Sequence, residues 1–354
     1  MKISLCMIVK NEEAVLKRCL DHVKDAVDEI IIVDTGSTDK TKEIASLFTD
    51  KIYDFEWIDD FAAARNYAFS KGTLDYLMWL DADDVIENED VEKIKEEKEK
   101  MDGSVSIYKM RYVNTFDKDG NILREVARGR LFRREDDFKW VGRLHECISL
   151  RGKVESLDIK IYHKKEVVND PERNLRIYNK MYDAGEIKDY RDTLLYAQTL
   201  YSAGKYTDAI EQYKKYLVDF KDIAPKAGRY TVICELASAY RKVQMYKESY
   251  NLLMDYLENN KGYARIWFEL GEYFLKIKMY KDALEMYSEA VSENKYNDEY
   301  DKEKLYASFY PYVSMAMCYY YLGDKENAIK YNDMADRLRD DESVKRNKKL
   351  YENM

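Results

Sequence analysis

The chain has 354 residues, of which 46% are hydrophobic and 36% are charged, a composition that supports packed cores and excludes a disordered, collagenous or membrane-spanning protein. Because single domains usually hold about 100–150 residues, this length predicts two compact units. The 59 basic and 68 acidic side chains give a net charge of −9, which repels phosphate backbones and disfavours a nucleic acid as partner.

Residue types are distributed unevenly along the chain. Six of the 33 tyrosines precede residue 165 and 27 follow it, all three prolines follow it, and all three histidines precede it. This shift in composition predicts a domain boundary between residues 165 and 190. We expect one domain over residues 1–180 and a second over residues 181–354.

The cysteines and the lengths of the apolar segments help to predict the cellular compartment. The five cysteines are scattered and show no C-x-x-C spacing, which argues against a disulfide framework and a structural zinc site. The apolar stretch at residues 3–9 is too short for the core of a signal peptide. No other run approaches the roughly 20 apolar residues that cross a bilayer. We therefore expect a cytoplasmic protein without a transmembrane segment.

The first 80 residues alternate short apolar runs with segments of helical period. The runs that predict strands are 2–9, 29–33, 51–55 and 76–80, and the helical segments are 12–27, one that begins near residue 39, and 61–70. Strands that alternate with helices predict a mostly parallel sheet covered on both sides. Ligands bind such sheets at the carboxyl ends of the strands.

Two of the predicted strands end in acidic residues. Asp34 follows the second strand, and Asp81, Asp83 and Asp84 follow the fourth. Carboxylates this close repel one another unless a cation lies among them, and Mg²⁺ or Mn²⁺ takes oxygen ligands together with substrate phosphates. The D-A-D-D segment therefore predicts a platform for a metal and a diphosphate. The alternatives are a solvated acidic turn and, for Asp34, a turn residue beside Gly36.

Several segments occur together in one order. They are IVKNEE (8–13), IIIVDTGSTDKT (30–41), ARN (64–66), WLDADD (79–84), VGRLHECI (141–148), IKIYHKKEV (159–167) and ERN (172–174). In order and approximate spacing they resemble family 2 glycosyltransferases, which are nucleotide-sugar enzymes. The resemblance covers about residues 1–180 and implies the α/β GT-A fold, a Rossmann-like, mostly parallel sheet with helices on both faces.

The resemblance implies a UDP-sugar donor and a divalent cation, Mg²⁺ or Mn²⁺. It matches Asp34 to the residue that pairs with the uracil ring, and Asp81 and Asp83 to the carboxylates that hold the cation on the two phosphates. Arg65 is expected to add a second positive group to the phosphates. The alternative is a surface arginine paired with an aspartate at 59–60.

Three further polar residues are candidates for the chemistry. An inverting transfer is a single displacement in which a carboxylate takes the proton of the acceptor, and we expect Glu146 in this role, with Asp84 as its rival. His163 is expected to complete the metal shell, and its alternative is a structural role. The closing segment has His-Lys-Lys-Glu at 163–166, where this subgroup often has H-x-G-Y, a departure that weakens the metal assignment of His163.

From residue 192 onward the chain repeats a pattern of helix, short break and helix. The clearest copies are 196–217, 236–257, 270–291 and 315–336, and small residues recur in them at Ala209, Ser249, Ala283 and Ala328. The spacings of these small residues are 40, 34 and 45, and 34 is the period of tetratricopeptide repeats. The copies resemble that family, which implies an all-α helical repeat domain that recognises peptides or other protein segments.

The excess of tyrosine fits such a repeat. Where two helices cross closely, one side must be small, and a large ring from a neighbouring helix fills the remaining space. We expect Tyr206, Tyr246 and Tyr280 to fill it, and most tyrosines of the repeats to be packing residues.

Taken together, the chain resembles bacterial family 2 glycosyltransferases with C-terminal tetratricopeptide repeats, a group that includes peptide S-glucosyltransferases. This resemblance implies a metal-dependent, inverting hexosyltransferase whose repeats present a peptide or protein acceptor. One alternative is a carbohydrate or lipid-linked acceptor in cell-envelope polysaccharide assembly. Another is a non-catalytic repeat scaffold with a degenerate transferase domain, against which Asp34, Asp81, Asp83 and Glu146 count. Because repeat arrays often self-associate, we also expect a homodimer.

Overall fold

The structure, a computed structural model, describes residues 1–116, 122–164, 172–292 and 303–353. It divides into two compact units, Met1–Pro171 and Glu172–Met354. The boundary predicted at residue 180 lies within the helix Arg173–Asp183, and residues 165–167 of the predicted closing segment lie outside the described residues. Within the described ranges, no helix combines the length and the apolar character needed to cross a membrane.

In the described part of the first unit, the central element is a mixed sheet of eight strands, beside which two short strands form a separate hairpin. The strands are β1 (Ile3–Val9), β2 (Glu29–Asp34), β3 (Ile52–Asp54), β4 (Tyr76–Met78), β5 (Asp84–Val85), β6 (Ile107–Phe116), β7 (Ile122–Arg133), β8 (Trp140–Val141), β9 (Cys147–Ile148) and β10 (Val154–His163). The helices are α1 (Leu16–Val23), α2 (Thr41–Ala45), α3 (Phe61–Lys71) and α4 (Asn88–Lys100), with a 3₁₀ turn at Arg134–Asp136.

The order of the strands is β3-β2-β1-β4-β7-β6-β10-β5. The first four strands of this order are parallel neighbours. Strand β7 then runs antiparallel between β4 and β6, while β10 is parallel to β6 and antiparallel to β5. The predicted α/β GT-A architecture is confirmed, as a mixed sheet with helices.

Helices cover both faces of this sheet because the side chains of its strands alternate. In β1, Leu5 and Met7 belong to one buried cluster together with Leu20 of α1. Cys6, between them, belongs to a second cluster together with Phe69 of α3. Successive side chains of a strand point to opposite faces, so the two clusters are the two cores of the α/β sandwich.

Strand pairing brings polar residues to one edge of the sheet. Asp34, at the end of β2, pairs with Val9 at the end of β1, and β4 on the other side of β1 leads into residues 81–84. His163, the last residue of β10, pairs with Asp84 in β5. Because β10 runs parallel to β1 and β4, its end lies at the same edge, where ligands of such sheets bind.

The described part of the second unit is helical throughout. Its helices are α5 (Arg173–Asp183), α6 (Tyr190–Ser202), α7 (Tyr206–Asp219), α8 (Lys226–Lys242), α9 (Tyr246–Asn259), α10 (Ala264–Lys276), α11 (Tyr280–Val291), α12 (Glu303–Tyr306), α13 (Phe309–Leu322), α14 (Lys325–Leu338) and α15 (Glu342–Glu352). The pairs α6–α7, α8–α9, α10–α11 and α13–α14 are each joined by a turn of two or three residues. The predicted helical repeat domain is confirmed.

Small and large residues pack against each other in the pair α10–α11, where the large residue at the crossing differs from the one expected. A Cβ atom on Gly271 would lie 2.4 Å from the ring of Tyr287, which is fully buried and whose hydroxyl donates to Glu272 at 2.8 Å. The expected fillers stand instead at the first position of their helices and are only half-buried: Tyr206, Tyr246 and Tyr280. A residue at the start of a helix lies at its edge, whereas Tyr287 lies inside α11 and reaches the crossing.

Glu29, the first residue of β2, links three segments of the first unit. Its carboxylate accepts hydrogen bonds from the Ser4 hydroxyl and from the backbone N–H and hydroxyl of Thr73, at 2.9 and 2.8 Å. It also pairs with Lys51, and its side chain is only 5% exposed. Burial alone would raise the pKa of Glu29, but Lys51, Ser4 and Thr73 together lower it to about 2.

This lowered pKa predicts part of the acid sensitivity of the first unit. Glu29 titrates near 4.5 without these partners and near 2 in the folded state, so its contribution is fully present above about pH 4.5 and is lost as the pH falls toward 2. The shift corresponds to at most about 3 kcal/mol. We expect Glu29→Gln to lower the free energy of unfolding by up to this amount at pH 7 and much less at pH 3, measured by urea unfolding. Glu155→Gln, at an exposed glutamate paired with Lys153, is the matched control. An equal loss at both pH values for Glu29→Gln would contradict the account.

Candidate active site

Asp34 lies in a tight turn at the end of β2 and has only 1% of its surface exposed. Its Oδ1 accepts hydrogen bonds from the backbone N–H groups of Gly36 and Ser37, both at 2.9 Å. Its Oδ2 is buried and has no hydrogen-bond partner among the described residues. Buried carboxylate oxygens normally accept a hydrogen bond, so Oδ2 is suited to an N–H donor of a ligand. One oxygen thus forms the turn, and the other is available for binding.

The D-A-D-D segment forms a closed turn after β4. The backbone N–H of Asp84 donates to the carbonyl of Asp81 at 3.0 Å, and the backbone N–H of Asp81 donates to Oδ2 of Asp84 at 3.1 Å. The backbone N–H of Lys164 donates to the carbonyl of Asp83 at 2.9 Å, which holds the end of β10 against this turn. The turn is therefore fixed by its own hydrogen bonds and by the strand that carries His163.

Asp83, Asp84 and His163 come together at this turn. Nδ1 of His163 lies 3.4 Å from Oδ1 of Asp83 and 3.7 Å from Oδ1 of Asp84. One ligand atom from each of the three lies within 4.8 Å of the others. The two carboxylates raise the pKa of His163 to about 10 despite its partial burial. Asp81, predicted as a metal ligand, is not part of this group of three.

The group of Asp83, Asp84 and His163 has the chemistry of a cation site. Oδ1 of Asp84 and Nδ1 of His163 are buried, and neither has a hydrogen-bond partner in the described ranges. Two carboxylate oxygens and, once His163 has lost its proton to make room for the cation, one imidazole nitrogen are ligands that Mn²⁺ accepts, and Mg²⁺ prefers the oxygens. The residues present therefore fit a divalent cation.

Arg65 of α3 connects two of the other predicted site residues. Its Nη2 lies 2.8 Å from Oδ1 of Asp81, and its Nε lies 2.6 Å from Oε1 of Glu146. The guanidinium carbon lies 4.8 Å from the ring centroid of Trp79 and 5.1 Å from that of Trp140. Burial favours the neutral form of Arg65, but Asp81 and Glu146 raise its pKa, so it stays charged. This arrangement replaces the alternative of a surface arginine paired with an aspartate at 59–60.

Arg65 also affects the pKa of Asp81. Burial would raise the pKa of Asp81, but Arg65 and then Arg130 outweigh burial and lower it. Asp81 is therefore ionised, and its Oδ1 is held by Arg65 while the side chain remains 34% exposed.

Asn66, next to Arg65, fixes the strand that leads to Glu146. Its Nδ2 donates to the carbonyl of Trp140 at 2.9 Å, and its Oδ1 accepts from the backbone N–H of Trp140 at 2.9 Å. Glu146 lies in the loop between β8 and β9, so Arg65 and Asn66 together attach this hairpin to α3. The sequence motif ARN carried this information, but its asparagine had no predicted role.

Arg130 of β7 is a part of the site that sequence reasoning missed. Its Nη1 lies 3.0 Å from Oδ2 of Asp84 and 3.2 Å from the carbonyl oxygen of Trp79. The side chains of Arg130 and Asp84 have no exposed surface. Nothing in the sequence distinguishes Arg130 from Arg128 and Arg133 of the same strand, since only the register of β7 makes it face Asp84.

We predict that the buried link through Arg65 contributes strongly to stability. Removing one partner of a buried ion pair leaves an uncompensated charge, which costs about 3–5 kcal/mol. Asp81 is partly exposed, so we expect Arg65→Met to lower the free energy of urea unfolding by about 3 kcal/mol. Arg111→Met is the matched control, because Arg111 also pairs with two carboxylates, Glu125 and Asp158, but is exposed. Equal losses in the two variants would show that burial of the Arg65 pairs is unimportant.

Known proteins are similar to parts of this chain. Residues 4–151 match the family described as Glycosyl transferase family 2. The SPbeta prophage-derived glycosyltransferase SunS of Bacillus subtilis is 28% identical over 232 residues, which are 61% of this chain and 53% of SunS. A TPR repeat-containing protein of Synechococcus elongatus is 51% identical over 83 residues, 23% of this chain and 21% of that protein. This chain thus spans about half or less of the length of these relatives.

Solved structures that match parts of this chain were also found. The crystal structure of S. aureus TarS matches 74% of this chain and 56% of TarS, with 14% identity and a TM-score of 0.40. A crystal structure of MamA protein matches 48% of this chain and 82% of MamA, with 23% identity and a TM-score of 0.34. The match to Glycosyl transferase family 2 covers residues 4–151, which is less than half of this chain and includes every predicted site residue except His163.

Proposed function

We propose that the protein is a metal-dependent, inverting glycosyltransferase that moves a hexose from a UDP-sugar to a peptide or protein acceptor presented by its repeats. One observation carries the proposal. In the region that matches Glycosyl transferase family 2, Asp34 at the end of β2 and Asp84 at the start of β5 each keep one buried oxygen without a hydrogen-bond partner among the described residues. One oxygen suits an N–H group of a base, and the other suits a cation.

For the donor, we assign the uracil contact to Oδ2 of Asp34 and the cation to Asp83, Asp84 and His163. When bound, the cation neutralises the negative charge that develops on the diphosphate leaving group. Arg65 is assigned to the diphosphate, because its Nη1 is buried and without a hydrogen-bond partner in the described ranges. Asp81, which is oriented by Arg65, remains a predicted binding residue for the UDP-sugar donor.

For the acceptor, we assign Glu146 as the general base. Its carboxylate is held by the fixed guanidinium of Arg65 and is 13% exposed. The rival, Asp84, has no exposed surface and is ion-paired with Arg130, so an acceptor hydroxyl or thiol has no access to it. A peptide acceptor rests on the resemblance to peptide S-glucosyltransferases, and a cytoplasmic location and a homodimer likewise stay predictions.

Donor binding tests the cation and uracil assignments separately. We expect wild-type protein to bind UDP more tightly in Mn²⁺ than in EDTA, measured by calorimetry, and Asp83→Ala to lose at least about tenfold of the affinity in Mn²⁺ only. Asp34→Ala should weaken UDP in both buffers, because its contact with the base needs no cation. Asp158→Asn, at an exposed aspartate, is the control. If Asp83→Ala binds UDP as tightly as wild type in Mn²⁺, the cation assignment is wrong.

Assays of sugar transfer test the assignment of the general base and the class of acceptor. We expect mass spectrometry of candidate peptides, incubated with a panel of UDP-sugars, to show a hexose increment with wild-type protein. Glu146→Gln should slow transfer by about 10²–10⁴-fold while UDP still binds, since the amide oxygen can still accept from Arg65 and a general base acts on the acceptor. Near wild-type transfer by Glu146→Gln would exclude Glu146 as the base. Transfer to oligosaccharides but to no peptide would favour the carbohydrate acceptor.

A further inference from the structure

Arg130 is the largest fully buried side chain among the described residues, and it stands in a central strand of the sheet. A buried guanidinium is costly to desolvate, and a buried ion pair can often be replaced by apolar residues without loss of stability. Stability alone therefore does not account for the pair of Arg130 and Asp84. Its place beside the cation group points to a role in function.

We propose that Arg130 is a positioning residue for the divalent cation, which it serves by holding Asp84. This inference rests on the proposed function, because it assumes the cation site of Asp83, Asp84 and His163. Arg130 itself does not contact the cation in this proposal.

The first part of the argument concerns Asp84. Arg130 Nη1 binds the carbonyl oxygen of Trp79, just before the D-A-D-D turn, and Oδ2 of Asp84, at the end of the turn. Oδ2 also accepts from the backbone N–H of Asp81. With Oδ2 engaged twice, the carboxylate has one orientation, and its Oδ1 lies 3.7 Å from Nδ1 of His163. Without Arg130, the buried carboxylate would turn toward water, and the cation would lose a ligand.

The second part concerns the rings around Arg130. Its guanidinium carbon lies 3.7 Å from the ring centroid of Trp79 and 4.8 Å from that of Tyr112. The ring of Tyr112 in turn lies 5.8 Å from the ring of His163. Nε and Nη2 of Arg130 have no hydrogen-bond partner in the described ranges, so contact with these rings is the main compensation for their burial. Contact with these rings thus keeps the guanidinium beside Asp84.

The test separates binding of the cation from binding of the nucleotide. We define the cation enhancement as the ratio of the UDP dissociation constants in EDTA and in Mn²⁺, both measured by calorimetry. We expect Arg130→Gln to lower this enhancement by about 10–100-fold, the usual effect of losing a residue that orients a metal ligand. The affinity for UDP in EDTA should not change. Arg111→Gln, which removes an exposed arginine from the neighbouring strand β6, should keep the full enhancement.

A double-mutant cycle shows whether Arg130 acts through Asp84. We expect Asp84→Asn to lower the enhancement as Arg130→Gln does, and the double variant to be no worse than Asp84→Asn alone, because one mechanism cannot be lost twice. If Arg130→Gln fails to fold, the double variant lacks both buried charges and still provides this comparison. A double variant clearly weaker than Asp84→Asn would overturn the proposal.

The remaining outcomes distinguish this proposal from the function on which it rests. A folded Arg130→Gln protein with the full wild-type enhancement would overturn the positioning role and leave the cation site intact. Wild-type protein without any enhancement would overturn the cation site and this inference together.

Discussion

The acidic edge of the sheet depends on two buried arginines that neutralise its carboxylates. Three aspartates within four residues, with Glu146 on the nearby hairpin, would repel one another strongly in a partly buried site. Arg65 pairs with Asp81 and Glu146, and Arg130 pairs with Asp84. The protein therefore holds most of these acids in place with its own cations, and a divalent cation has only the remaining charge to balance. Such preorganisation is what electrostatic catalysis requires, because the site does not rearrange when charge develops.

Trp79 contacts both of these arginines. Its indole ring lies 4.8 Å from the guanidinium of Arg65 and 3.7 Å from that of Arg130, and its Nε1 donates to the carbonyl of Gly129 at 2.9 Å. Its own carbonyl accepts from Arg130. A single aromatic residue before the D-A-D-D turn thus contacts the arginine that orients Glu146 and the arginine that orients Asp84. We expect changes at Trp79 to affect the proposed base and the proposed cation site at once.

The sequence predicted the parts of this site that follow from local pattern. Period and composition predicted the strands that precede Asp34 and Asp81, and the order of the motifs indicated a resemblance to the family. Pairings between distant segments could not be predicted in this way. Asp84 and Arg130 are 46 residues apart and meet only through the register of β7, and Glu146 reaches Arg65 across 81 residues. The spacing D-x-D suggests Asp81 and Asp83 as a pair, whereas the closed turn instead places Asp84 beside Asp83 and His163.

In the repeats, the pattern predicted the helices, but only their packing shows that Tyr287 rather than Tyr280 fills the space at Gly271.

The central claim is that the turn after β4 is held by Arg130 so that Asp83, Asp84 and His163 can share one cation. Anomalous diffraction at the manganese edge, from crystals grown with UDP and Mn²⁺, tests it most directly. The account predicts a single strong manganese peak within about 2–2.5 Å of an oxygen of Asp83, an oxygen of Asp84 and a nitrogen of His163. It also predicts that Arg130 remains bound to the other oxygen of Asp84. A manganese peak bound by Asp81 and Asp83 alone, with Asp84 and His163 left without metal contact, would contradict it.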